Sequence, residues 1–144
     1  METLTMERTF EASREKVFKA WTDPTLLQKW FSPATDWTTP KVETDLKAGG
    51  KYRITMKAPD GRLSVVIGTY KEVNPPERLV FTWMWENEKE ETLVTVKLTE
   101  KNGATQMLLT HELFSSKEIR DQHEWGWKGA FENLNHVEMK GVRS

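Results

Sequence analysis

The stretch Ser13–Phe31, SREKVFKAWTDPTLLQKWF, reads as two short helices in immediate succession. Ser13 is a good N-cap, since its hydroxyl accepts a bond from the first turn. Val17, Phe18 and Trp21 fall on one side of a helix over about 14–21. Asp23-Pro24 restarts the chain, because Asp favours the N-cap and Pro the first helical position. The second helix carries Leu26, Leu27, Trp30 and Phe31 and ends at Ser32-Pro33.

On either side of this pair the period changes to two. Residues 2–11 alternate, with Leu4 and Met6 on one face of a first strand. Val42–Leu46 reads as a strand, Ala48-Gly49-Gly50 as a tight turn, and Tyr52, Ile54 and Met56 alternate on the next strand. Pro59-Asp60-Gly61 is a turn, and Leu63–Val73 a long strand. Asn74-Pro75-Pro76-Glu77 cannot continue a ladder, because proline lacks the donor. Leu79–Trp85 follows, with Leu79, Phe81, Trp83 and Trp85 on one face. The acidic run Glu86–Glu91 is a solvated turn, and Thr92–Thr99 and Thr105–Phe114 form a hairpin around Lys101-Asn102-Gly103. Met107, Leu109, His111 and Leu113 share a face of the last strand. Ser115 or Ser116 caps a C-terminal helix over about 117–139, with Ile119, Trp127, Phe131 and Leu134 on one stripe. The expected class is α+β: a curved antiparallel sheet with a long helix packed across it, in one domain over 1–144.

Composition narrows the function. The 22 acidic and 21 basic residues nearly cancel and are interspersed, which argues against a nucleic-acid or anionic-membrane surface. No apolar run reaches the roughly 18 residues of a membrane span. METLTMERTF lacks the basic-then-apolar pattern of a signal peptide, so a cytoplasmic location is the default expectation. With no cysteine, thiol chemistry is excluded. There is no HExxH, GxSxG or phosphate-loop pattern, so neither a metal nor another cofactor is expected. Seven tryptophans stand out as material for a core or a pocket wall.

Several blocks, in order and spacing, carry a resemblance over nearly the whole chain. They are AWTDPTLLQKWF at Ala20–Phe31, TDLKAGGKYRITM at Thr44–Met56, GTYKEVNPPERLVFTW at Gly68–Trp83, LLTHELF at Leu108–Phe114, and Gly126-Trp127 within HEWGWKGAFENL. Together they resemble the START-like, helix-grip (SRPBCC) superfamily, in the branch named after the activator of the heat-shock-protein-90 ATPase. The resemblance implies a seven-stranded antiparallel sheet gripping the last helix around a cavity for apolar ligands, with two short helices after the first strand. In the co-chaperone that names the branch, the module follows a separate N-terminal domain. This chain opens on the module's first strand, so ATPase activation is not expected to carry over.

An empty apolar void of about 300 Å³, the low end for ligand sites, costs on the order of 7 kcal/mol. Such a cavity is therefore filled by ligand, by water or by large side chains. Candidate lining residues are Trp30, Tyr52, Met56, Phe81 and Trp83 from the first half. Met107, His111, His123, Trp127 and Phe131 complete the set. His123 and Trp127 are four apart and share a helix side. His111 reads either as a satisfied core histidine or as a ligand contact. Glu72 reads as a surface position, with an inward one as the alternative. Three functions follow: a module binding an apolar or aromatic small molecule; a stress-related, co-chaperone-like interaction protein with a chaperone partner; and a cofactor-free cyclase- or hydratase-type enzyme. The sequence favours the first, and no catalytic residue is assigned. Exposed-looking Trp37 is compatible with a monomer or a weak homodimer.

Overall fold

In the computed structural model, residues 1–137 are described. The element order is β1 (Glu2–Phe10), α1 (Arg14–Thr22), α2 (Pro24–Trp30), β2 (Thr38–Thr44), β3 (Lys51–Lys57), β4 (Leu63–Asn74), β5 (Arg78–Trp85), β6 (Thr92–Lys101), β7 (Ala104–Phe114) and α3 (Lys117–Asn135). One seven-stranded antiparallel sheet runs β1-β7-β6-β5-β4-β3-β2. This is the helix-grip arrangement expected from the sequence. Each helix starts where local chemistry dictates. Ser13 accepts from the Lys16 amide, Asp23 from Thr25 and Leu26, and Ser116 from Ile119. Of the two candidate serines, Ser116 is therefore the cap. α3 ends at Asn135, earlier than expected; positions 138–139 of the expected helix lie outside the described residues.

The sheet departs from simple alternation at three places, and each has a local cause. β2 begins at Thr38 rather than Val42 and includes Pro40. It pairs only with β3, so a missing donor faces no neighbour. In β4, Tyr70 pairs with Phe81 and Glu72 with Val80, which leaves Lys71 as an extra residue. The bulge shifts the phase: Val73 packs against the core, while Glu72 turns out to an ion pair with Arg78. Near the end of β7, Leu113 takes φ +76° and is exposed, whereas Phe114 is fully buried. The expected inward row thus ends His111, Phe114, not His111, Leu113. Asn102 and Gly103, at φ +53° and +82°, form the type I′ turn that suits a two-residue hairpin.

The Tyr52 ring lies across Gly68, its cross-strand partner. A Cβ at Gly68 would collide with the Thr82 carbonyl and the Tyr52 ring. The absence of a side chain there lets the Tyr52 hydroxyl donate to Thr82 O at 2.6 Å, and Thr82 Oγ1 accepts from the Thr69 amide at 2.8 Å. These bonds replace ladder bonds where β4 and β5 separate.

The concave side is packed with aromatics. Trp21 meets Trp30 edge-on at 4.9 Å, and Trp127 stacks on Phe131 at 5.5 Å. Two of the buried indoles are satisfied within the core: Trp21 Nε1 donates to Met107 Sδ and Trp30 Nε1 to Ala20 O. A residual void of about 20 Å³ remains beside Tyr52, Phe81 and Leu79. Large side chains therefore fill the space between sheet and helix.

Removing the Tyr52 hydroxyl leaves a buried carbonyl without its partner. Tyr52→Phe is expected to lower stability by about 1–3 kcal/mol, measured as a reduced urea midpoint with an unchanged m-value. A change under 0.5 kcal/mol would show that water replaces the bond.

Candidate functional site

An opening with a mostly apolar, aromatic lining lies at one end of the grip, where α3 passes the α2–β2 loop. It has a volume of about 260 Å³. Trp83 and Trp127 form its buried part, at 5% and 3% exposure. Trp85 and His123 flank it, half-buried, with Trp37 opposite and Trp125 at the rim, 60% exposed. Phe31, Ser32 and Pro33 contribute from the loop after α2, and Met56 and Ser64 from β3 and β4. Among the described residues, no Asp, Glu, Lys or Arg lines it.

Two glycines of α3 face Pro33 with opposite consequences. A Cβ at Gly129 would collide with the Pro33 carbonyl, so glycine lets the helix touch the loop. Asn133 Nδ2 reinforces that contact by donating to Ser32 O at 3.2 Å. At Gly126 a Cβ would meet only Pro33 Cβ, at an ordinary 3.9 Å. Packing does not require glycine there, and its missing side chain leaves room in the pocket.

A directional hydrogen-bond chain underlies the pocket. Trp127 Nε1–H donates to His111 Nδ1 at 3.1 Å. His111 Nε2 lies 2.7 Å from Thr92 Oγ1, which donates to Trp83 O at 3.1 Å. The only consistent assignment puts the His111 proton on Nε2. His123 has the other tautomer: Nδ1–H donates to Ile119 O at 2.8 Å, and Nε2 accepts from Trp85 Nε1 at 3.1 Å. The two imidazoles lie 5.2 Å apart, centroid to centroid. Burial, and secondarily His123, hold the His111 pKa well below the ordinary value. Burial also lowers that of His123, opposed by its bond to Ile119 O and by Glu88 and Glu90. Both are neutral, with both ring nitrogens engaged.

Four of the ten sequence candidates line this pocket: Met56, Trp83, His123 and Trp127. Trp30, Met107, His111 and Phe131 are fully buried core residues, and Tyr52 and Phe81 border the small void. His111 does not line the pocket but packs behind three residues that do, Trp83, His123 and Trp127. Sequence reasoning passed over Trp85, Trp125, Phe31, Pro33 and Gly126. Trp37, which the sequence presents as exposed, is half-buried in the pocket wall. One available signal was an isolated glycine in a helical pattern with no cap to explain it.

A family model described as "Activator of Hsp90 ATPase homolog 1-like protein" matches residues 11–137. The chain belongs to this family. Among solved structures, one from Chromobacterium violaceum is 25% identical over 92% of this chain and 94% of its own, with a TM-score of 0.85. The AHSA1 protein of Silicibacter pomeroyi is 26% identical over 93% and 95%, TM-score 0.82. The AHSA1-like protein of Aeromonas hydrophila is 27% identical over 93% and 90%, TM-score 0.79. No curated protein matches the chain. In this family member no described helix is long and apolar enough to cross a membrane, and among the described residues no cluster of His, Cys, Asp and Glu could hold a metal.

Protonating either histidine would set an N⁺–H against an indole N–H. Folded-state pKa values therefore lie below the unfolded value of about 6.5. The unfolded chain takes up protons that the fold refuses, so this stability is fully present above about pH 6.5 and is lost as pH falls. Each histidine contributes a slope of up to about 1.4 kcal/mol per pH unit. Urea melts between pH 7 and 5 should show this fall, and His123→Gln should make it shallower. An unchanged slope in the variant would mean that His123 carries its charge in the fold.

Proposed function

We propose that this protein binds a small, flat, neutral ring molecule in the pocket between α3 and the α2–β2 loop. The observation that carries the reading is that five of the seven tryptophans line this one opening: Trp37, Trp83, Trp85, Trp125 and Trp127. Indole faces stack favourably on other rings. The volume, about 260 Å³, lies just under the ~300 Å³ floor of common ligand pockets, which suits a few fused rings better than a long-chain lipid. Among the described residues the lining is uncharged and offers no partner to an ion, and burying an unpaired charge is costly. Binding is favoured over acid–base catalysis because His123, the one lining histidine, has both nitrogens occupied.

Titration with fluorene, followed on the indole N–H resonances of ¹⁵N-labelled protein, tests the reading. Saturable shifts are expected for the five pocket tryptophans, with Trp21 and Trp30 unmoved. Gly126→Leu should abolish those shifts by filling the pocket. Gly126→Ala should raise stability by up to about 1 kcal/mol, because glycine is a poor helix former. Shifts spread over all seven indoles, or none at saturating ligand, would count against the site.

A further inference from the structure

Among the described residues, one titratable group lies in the pocket wall, and it is tied to one of the pocket's rings. His123 lines the opening beside Trp85, whose Nε1–H donates to His123 Nε2 at 3.1 Å. The imidazole is pinned on its other side, since Nδ1–H donates to Ile119 O, one turn back on α3, at 2.8 Å. It cannot flip to offer Trp85 the other nitrogen without giving up that bond. Trp85 is half-buried and meets Trp83 edge-on at 5.5 Å. The bond to His123 is the only hydrogen bond of its side chain among the described residues.

We propose that His123 is the positioning residue of this pocket, holding Trp85 in the wall while its imidazole is neutral, and that a neutral ring ligand and a second proton on His123 exclude each other. The inference rests on the binding reading above and adds the regulation of that site. A second proton would sit on Nε2 and point at the Trp85 N–H, leaving two donors face to face, so the Trp85 ring loses its anchor. A flat apolar ligand against Trp85 and His123 also strips water from the imidazole, and desolvation disfavours the charged form. The groups around His123 do not reverse this. From β7 come His111, neutral and 5.2 Å away, and Phe114, and β5 presents Trp83 and Trp85, which carry no charge. Glu88 and Glu90, from the β5–β6 turn, favour the cation, but burial outweighs them. Glu88 is exposed, where water and salt screen it. No other lining residue among the described ones titrates, so the pH response of an uncharged ligand passes through His123.

Fluorene makes the test, because it has no ionisable group of its own in this range. Its dissociation constant is measured between pH 7 and 5 with wild type and with His123→Gln, whose side-chain carbonyl can still accept from Trp85 but cannot titrate. For wild type the constant is expected to rise as pH falls below about 6.5, by up to about tenfold per pH unit for one linked proton. For the variant the constants at pH 5 and pH 7 should agree, whatever its affinity at pH 7. Unchanged indole signals of the core residues Trp21 and Trp30 show that the fold is intact throughout, so unfolding does not mimic the effect. Linkage is reciprocal, so saturating fluorene should lower the pH midpoint at which the wild-type Trp85 indole resonance shifts. This second readout decides the matter alone if the variant does not fold. A wild-type constant that is flat or falls toward pH 5, an equal rise in the variant, or an unmoved Trp85 midpoint overturns the positioning role while leaving the pocket reading intact. Failure of fluorene to saturate any pocket indole at pH 7 overturns the pocket reading and this inference with it.

Discussion

The hydrogen bond from Trp127 to His111 is the constraint on which the rest of the structure depends. It joins α3 to β7 and continues through Thr92 to the backbone of β5. In this seam the indole nitrogens of Trp85 and Trp127 and both imidazoles are satisfied, and leaving one of them unmet would cost about 1–3 kcal/mol. The chain can be satisfied only with a neutral histidine protonated on Nε2. That requirement fixes the rotation of α3 about its axis. One turn earlier, His123 meets Trp85 by the same logic with the tautomer reversed. Together the two contacts set the height and orientation of the helix over the sheet, and with them the shape of the pocket.

Packing explains why the pocket lies at the end of the grip. Behind Trp127 the concave face is filled by Trp21, Trp30, Phe31, Phe81 and Phe131, and only about 20 Å³ is left. An empty apolar chamber there would cost several kcal/mol. Toward the α2–β2 loop the helix instead carries glycine at two positions. Gly129 lets α3 touch Pro33, and Gly126 keeps the next turn from filling the gap. Three residues apart on one helix, the two glycines have different physical roles: one permits a contact, the other preserves a space.

Much of this was legible in the sequence because it depends on short-range chemistry. Ser13, Asp23-Pro24 and a C-terminal serine marked the three helix starts. Asn102-Gly103 marked the hairpin, and alternation marked most strands. Boundaries failed where neighbours outweigh propensity. Pro40 joins a strand because that strand lies at the sheet edge. Leu113 leaves the inward row because a bulge gives the place to Phe114. In β4 the phase shifts at Lys71, an extra residue, which passes the inward place to Val73 and leaves Glu72 on the surface, as the sequence favoured. None of these can be read from periodicity, since a bulge is a response to pairing on the neighbouring strand.

The sequence by itself determined the order of elements, the helix-grip class and the aromatic material for a core and a pocket wall, because caps, turns and period are encoded within a few residues. Met56, Trp83, His123 and Trp127 were within its reach because they sit on faces that periodicity defines. Only the tertiary structure decided which rings are core and which are wall. Trp30 and His111 became core, while Trp37, Trp85 and Trp125 became pocket. The reason is that exposure of a large side chain depends on what another element places over it, here α3 and the α2–β2 loop. The bond from Trp85 to His123 is likewise invisible in sequence, since the two side chains meet only once α3 is laid over β5.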